Sequence, residues 1–191
     1  ADENILNSTR STDFITPKSN VSRTFRDATL GLAKEHAFAR RLVNSGRLSV
    51  PAILADSALN TPDRDPDFAR GPGAMVPGAP AADAPVAGPA GDWLLSYLGG
   101  DFTLLGFDAA VGPFGVAALA RDPIPCKVVQ MGGKPTAGAT TIEDVLGLAV
   151  RRYAARPGTV YLLRPDQHVC ARWREFDLPS VRAAIARATA S

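Results

Sequence analysis

The sequence predicts a mixed α/β domain over residues 91–191 in the order β-α-β-α-β-β-α, preceded by a helical segment over residues 1–50 and a Pro/Gly/Ala-rich connector over residues 51–90. Three observations predict it. In residues 159–174, TVYLLRPDQHVCARWR, Val160, Leu162 and Arg164 alternate with Tyr161 and Leu163, and alternation resumes beyond Pro165-Asp166-Gln167, which reads as a β-hairpin. Two apolar runs of strand length, FTLLGF at 102–107 and CKVVQM at 126–131, flank a short helical stretch, and such a βαβ unit implies a parallel pair. Between them and the N-terminal segment, Pro62, Pro66, Pro72, Pro77, Pro80, Pro85 and Pro89 punctuate a stretch that resists both helix and sheet.

Taken in order, residues 1–10 fit the tail of a helix, and STDFITPKS at 11–19 reads as a connector in which Pro17 holds Thr16 out of the helical region. Ser22 is the expected N-cap of a helix through Glu35, with Phe25, Ala28, Thr29, Leu32 and Ala33 at helical spacing. A second helix is expected over residues 37–44, carrying Phe38, Leu42 and Val43 and stopped by Gly46. This hairpin has too few large apolar residues to fold alone. Its basic residues, Arg23, Arg26, Arg40, Arg41 and Arg47, read as a solvated face rather than an anion site.

Past the connector, DWLLSYLG forms a short apolar helix ended by Gly99-Gly100, and another helix is expected over residues 114–120. Thr140 and Glu143 have the spacing of a capping box, which predicts a helix continuing through Ile142, Val145, Leu146, Ala149, Val150 and Tyr153 to Pro157-Gly158. In the hairpin turn Pro165 pre-sets φ and Asp166 caps with its own side chain. Asp177 then caps a last amphipathic helix marked by Leu178, Val181, Ile185 and Ala188. Helices are expected on both faces of the sheet.

With 46% hydrophobic residues, 21% charged residues and a net charge of +2, the chain has the composition of a globular protein. Its basic residues are dispersed, so neither nucleic acid nor a membrane is an expected partner. No apolar run nears the ~20 residues that span a bilayer, and the N-terminus lacks a signal peptide's apolar core, making a cytoplasmic setting the default. The chain opens at Ala1 without methionine, which fits a piece of something longer. Cys126 and Cys170 stand 44 positions apart in predicted strands, a spacing that suits buried small hydrophobes rather than a redox pair or a zinc site.

Few residues qualify for chemistry. His36 and His168, the two histidines, have no acid or nucleophile beside them in sequence. Ser8, Ser11 and Asp13 read as turn-forming polar residues. Met75 and its glycine-proline run read as packing over the connector, the alternative being the lining of a substrate mouth in an intact enzyme. No catalytic, cofactor-binding or metal-binding residue is therefore assigned.

The β-α-β-α-β-β-α succession resembles the thioredoxin fold, with Pro157 before the third strand where that fold keeps a proline, often cis, and RPDQH in the last hairpin turn. Its CxxC is replaced by Asp108-Ala109-Ala110-Val111-Gly112-Pro113, so the resemblance implies the fold without disulfide exchange. A second resemblance covers nearly the whole chain. ENILNSTRSTDFITPKS, RTFRDATLGLA, ARRLVNSGRLSVPA, GPGAMVPGAPAADAPV, WLLSYLGGDFTLLGF and VYLLRPDQHVCARWR, in this order, are similar to the C-terminal part of FAD-dependent aromatic hydroxylases. These are class A monooxygenases of the 3-(3-hydroxyphenyl)propionate hydroxylase, phenol hydroxylase and polyketide hydroxylase type.

That likeness implies FAD and NAD(P)H as cofactors of a full-length parent, with contacts upstream of Ala1. It also implies an upstream FAD-binding and substrate body as partner, along with self-association into a homo-oligomer. GFDAAVGPFG lacks the GxGxxG spacing, so no cofactor contact carries over to this chain, which is expected to be inactive alone. The competing classes are a stand-alone thioredoxin-like binding module, which lacks thiol chemistry too, and a redox protein, which would need a thiol pair. A reading frame continuing upstream with a dinucleotide motif selects the hydroxylase.

Overall fold

A computed structural model of the chain describes residues 2–43, 52–63, 65–68, 70 and 73–190. It divides into two compact units, Ala1–Ala52 and Ile53–Ser191.

The first unit holds α1 (Asp2–Ile15), α2 (Asn20–Glu35) and α3 (Ala37–Val43). Helix α1 runs well past residue 10, into the stretch read as a connector. Thr9 and Thr16 hydroxyls donate back to Ile5 and Thr12 carbonyls, and Pro17 ends the helix where expected. The cap of α2 is Ser19 rather than Ser22: Ser19 is extended and its Oγ accepts from the Ser22 amide at 3.1 Å. Arg40 donates to the carbonyls of Ala33 and Lys34, covering the open end of α2. Gly46, Asn44 and Arg47 lie outside the described residues, as do the side chains of Arg41 and Leu42.

The second unit is built on one six-stranded sheet, ordered β1-β4-β3-β2-β5-β6. The strands are β1 (Val86–Ala87), β2 (Phe102–Phe107), β3 (Cys126–Met131), β4 (Thr140–Asp144), β5 (Val160–Leu163) and β6 (Val169–Trp173). Strands β2 and β3 pair in parallel over their whole length, as the βαβ reading requires, while β5 runs antiparallel to β2 and β6 antiparallel to β5. A 3-10 turn covers Leu94–Tyr97, α4 is Gly112–Arg121, α5 is Leu148–Arg152 and α6 is Leu178–Thr189. Asp177 caps α6 by accepting from the Ser180 amide at 2.9 Å.

One expected helix begins as a strand. Residues 140–144 form β4, paired in parallel with β3 through Val129↔Thr140 and Met131↔Ile142, so the succession gains a strand beyond β-α-β-α-β-β-α. The β-branched run Thr140-Thr141-Ile142 suits a half-buried strand, and a parallel partner of exposed edge was available. Asp144, not Thr140, does the capping: its carboxylate accepts from the amides of Leu148 and Val150 at 3.0 and 2.8 Å, and the helix that follows is five residues long.

The sheet is apolar on both faces. Leu104, Val128, Val160 and Leu162 face α4 and α6 through Val116, Leu119, Val181 and Ile185. Leu105, Phe107, Val129, Tyr161 and Leu163 face Tyr153, the Leu94–Tyr97 turn and, from the Pro/Gly-rich stretch, Phe68, Met75, Ala84 and Val86. Residues 51–90 thus enter the core rather than only connecting. They also close an edge: the Val169 amide donates to the Ala79 carbonyl, the Gly78 amide to Val169 and the Thr61 amide to Cys170, all at 2.7–2.9 Å, so β6 is covered along its outer side.

Candidate functional site

A short loop joins β2 to α4. Its first residue, Asp108, has φ of 44°, and its amide donates to the Met131 carbonyl at 2.9 Å. Buried Gln130 reaches across from β3 and donates to the Ala109 carbonyl at 2.9 Å. Gly106 makes room for this: a Cβ there would stand 2.7 Å from the Gln130 Oε1. On the far side the Gly158 amide donates to the Phe107 carbonyl, next to Pro157, and no cis peptide bond occurs among the described residues. The loop is therefore held in place by backbone and amide groups.

Both sulfurs lie inside the sheet instead. Cys126 and Cys170 are buried free thiols in the α4/α6 core, and burial pushes Cys126 up to about 12 and Cys170 to about 11. Neither is a nucleophile near neutral pH. The two histidines are in separate units: His36 stacks on Phe38, and His168 Nδ1 lies 3.1 Å from the Asp166 carbonyl in the hairpin turn. Ser8, Ser11 and Asp13 all ride on α1, where Asp13 pairs with Lys18 at 3.5 Å. Met75 is buried, and its carbonyl accepts from Arg172 at 3.2 Å.

The polar cluster that sequence reasoning missed is on the hairpin. Leu162 pairs with Ala171 but Leu163 with Val169, so Cys170 is an extra residue that shifts the phase of β6. Cys170 and Ala171 consequently face the same core, and Arg172 turns inward onto the opposite one. Its side chain is fully buried. Arg172 Nε donates to Asp63 Oδ2 at 2.9 Å, and Nη2 meets the same oxygen. Arg174 donates to the carbonyls of Ala154 and Asp67, both at 2.8 Å, and lies 3.6 Å from Asp65. Phe68 is shared between them, its ring centroid 4.4 Å from the Arg172 guanidinium carbon and 3.5 Å from that of Arg174. Arg164, also buried, forks onto Asp166 at 3.1 and 2.8 Å and holds that carboxyl below its usual range.

A signal for this cluster was present: guanidiniums at 164, 172 and 174 within an apolar hairpin, and aspartates at 63, 65 and 67 spaced to alternate. Among the described residues no helix is long and apolar enough to cross a membrane, and no group of three His, Cys, Asp or Glu is placed to hold a metal.

No family model matches the chain, and no curated protein does. Solved structures do match. The flavin-dependent monooxygenase PieE, in complex with FAD and substrate, is 23% identical over 92% of this chain and 31% of its own, with a TM-score of 0.60. Aklavinone-11 hydroxylase, in a ternary complex with FAD and aklavinone, is 19% identical over 87% of this chain and 34% of its own, with a TM-score of 0.55. RebC-10x, native and bound to K252c, is 18% identical over 99% of this chain and 33% of its own, with a TM-score of 0.56. The chain thus has a mixed α/β fold shared with part of these flavin-dependent monooxygenases. It spans about a third of their length.

Proposed function

We propose that this chain is the C-terminal portion of an FAD-dependent aromatic-ring hydroxylase, whose parent uses NAD(P)H and O2 to hydroxylate a phenolic or polyketide substrate. In this reading residues 1–50 belong to the upstream flavin and substrate body. Residues 91–191 are a thioredoxin-like domain without thiol chemistry, joined by residues 51–90, and the chain serves assembly or structure in a cytoplasmic enzyme. The observation that carries the reading is the match, over nearly the whole chain, to about a third of several flavin-dependent monooxygenases. The ordered hydroxylase-like phrases of the sequence support it.

Among the described residues, the β2–α4 turn does not fit a flavin or nicotinamide nucleotide. Such a cofactor needs free amides in a glycine-rich turn at a helix N-terminus. In the β2–α4 turn the Val111 amide already donates to Ala109, the Asp108 amide to Met131, and a carboxylate stands at the turn's start. No step of hydroxylation is therefore assigned to a residue of this chain.

The purified chain should be colourless and leave added FAD spectrally unchanged. It should not reduce insulin disulfides, with or without Cys126→Ser and Cys170→Ser together. In the full-length parent, deletion from Asp92 onward should weaken oligomerisation or lower Tm while flavin content stays intact. Stoichiometric flavin binding by these residues alone, or a deletion that moves neither property nor the hydroxylation rate, sinks the reading.

A further inference from the structure

The first residues of the sheet unit, Ile53–Thr61, run to the outer edge of β6 without joining either core of the sheet. Ile53, Leu54 and Leu59 stay 42%, 43% and 38% exposed. The segment is tied largely to itself: the Ser57 amide donates to Leu54, the Asn60 amide to Ser57, and Asn60 Nδ2 to the Leu54 carbonyl at 2.7 Å. Its amides reach the rest of the unit near the two ends, Leu54 donating to the Gly78 carbonyl at 2.8 Å and Thr61 to the Cys170 carbonyl at 2.9 Å.

Docking also carries a local cost. The Asn60 carboxamide oxygen and the Thr61 hydroxyl are buried and find no hydrogen-bond partner among the described residues. Both regain water when the segment lifts, so opening relieves a desolvation penalty that the docked form holds. Little buried apolar surface and few bonds to the sheet place the segment at the low-stability end of the unit. Beneath it Cys170 is wholly inaccessible, its Sγ donating to the Leu59 carbonyl at 3.6 Å and lying 3.7 Å from the Ala184 carbonyl of α6. Cys126, equally buried, is on β3, with β2 and β5 between it and this edge.

We infer that Ile53–Thr61 is a strap that lifts from the β6 edge as a unit while the sheet stays folded. Lifting uncovers Cys170 and adds nine residues to the tether between the two units, up to ~30 Å of further reach. The tether thus has two lengths, short with the strap docked and long with it lifted.

The test treats the whole chain with N-ethylmaleimide at urea concentrations below the unfolding transition and reads each thiol by mass spectrometry. Cys170 should label at least about tenfold faster than Cys126 and with a shallower urea dependence, because local opening exposes less surface than unfolding. Hydrogen exchange should show the Thr61 amide opening in step with Cys170 while the α6 amides stay protected. Leu105→Ala, in the core that the lifted form keeps, should speed Cys126 at least about thirtyfold and leave Cys170 unchanged. Thr61→Val removes the unpaired hydroxyl at nearly constant shape and should slow Cys170 about fivefold. One rate and one urea dependence for both thiols, Leu105→Ala speeding both alike, α6 amides exchanging in step with Cys170, or Thr61→Val failing to slow Cys170 overturns the inference.

Discussion

The helical unit and the sheet unit treat their apolar residues in opposite ways. In the sheet unit Leu104, Leu105, Leu162 and Leu163 are wholly inaccessible, and both faces of the sheet carry a core. In the helical unit Phe25 is 60% exposed and Phe38 62%, with Leu32 and Val21 also open, while Thr29 and Ala39 are buried. A helix hairpin of this length gains its stability from burying an amphipathic face, and this one leaves that face uncovered. The contrast teaches that the two units bury their apolar residues to very different extents.

The sharpest way to break the comparison is to cut between Ala52 and Ile53. The piece Ile53–Ser191 should unfold in one cooperative transition, and the piece Ala1–Ala52 should show little helix by far-UV circular dichroism. A helical, cooperatively melting N-terminal piece would mean that its few buried residues suffice.

Next in size are single core truncations. Leu105→Ala or Leu162→Ala should cost ~2–5 kcal/mol in denaturant unfolding, because the vacated space is enclosed on all sides. Phe25→Ala or Phe38→Ala should stay within ~0.5 kcal/mol in the same chain, as expected for surface positions.

The hairpin arginines give a finer cut within the sheet unit. Asp63→Ala leaves the Arg172 guanidinium buried without its carboxylate and should cost ~3 kcal/mol. The double change Asp63→Ala with Arg172→Met should recover most of that loss, since the pair is removed together. No recovery would show that Asp63 acts through the segment it anchors rather than through the charge.

The smallest effect concerns the turn. The Arg164 fork, above all, lowers the Asp166 carboxyl below its ordinary value of 3.8. A depressed carboxyl contributes stability above the unfolded value and loses it as pH falls through the folded one. Asp166→Asn should therefore be less stable than the parent chain at pH 7 by no more than ~1 kcal/mol, Asp166 being half exposed, and the difference should close as pH drops below about 4. A difference that persists at pH 2 would assign the effect to backbone geometry instead.

Much of the architecture was decided locally and was legible in the residues. The runs at 102–107 and 126–131, the hairpin with its Pro165-Asp166 turn and the Asp177 cap are set by period, β-branching and turn chemistry, which act over a few residues. Other features depended on partners distant in the chain. Residues 140–144 carry helix-capping chemistry and strand propensity at once, and the free edge of β3 chose strand. The Pro/Gly-rich stretch resists helix and sheet, yet its Phe68, Met75 and Val86 fill a space that only the assembled sheet creates. The bulge at Cys170 is invisible in composition, and it moves Arg172 from the α4/α6 face of the sheet to the opposite one. Periodicity reports which residues share a face, whereas which face is covered, and by what, is settled when segments a hundred residues apart come together. Arg172 finding Asp63 is such a meeting.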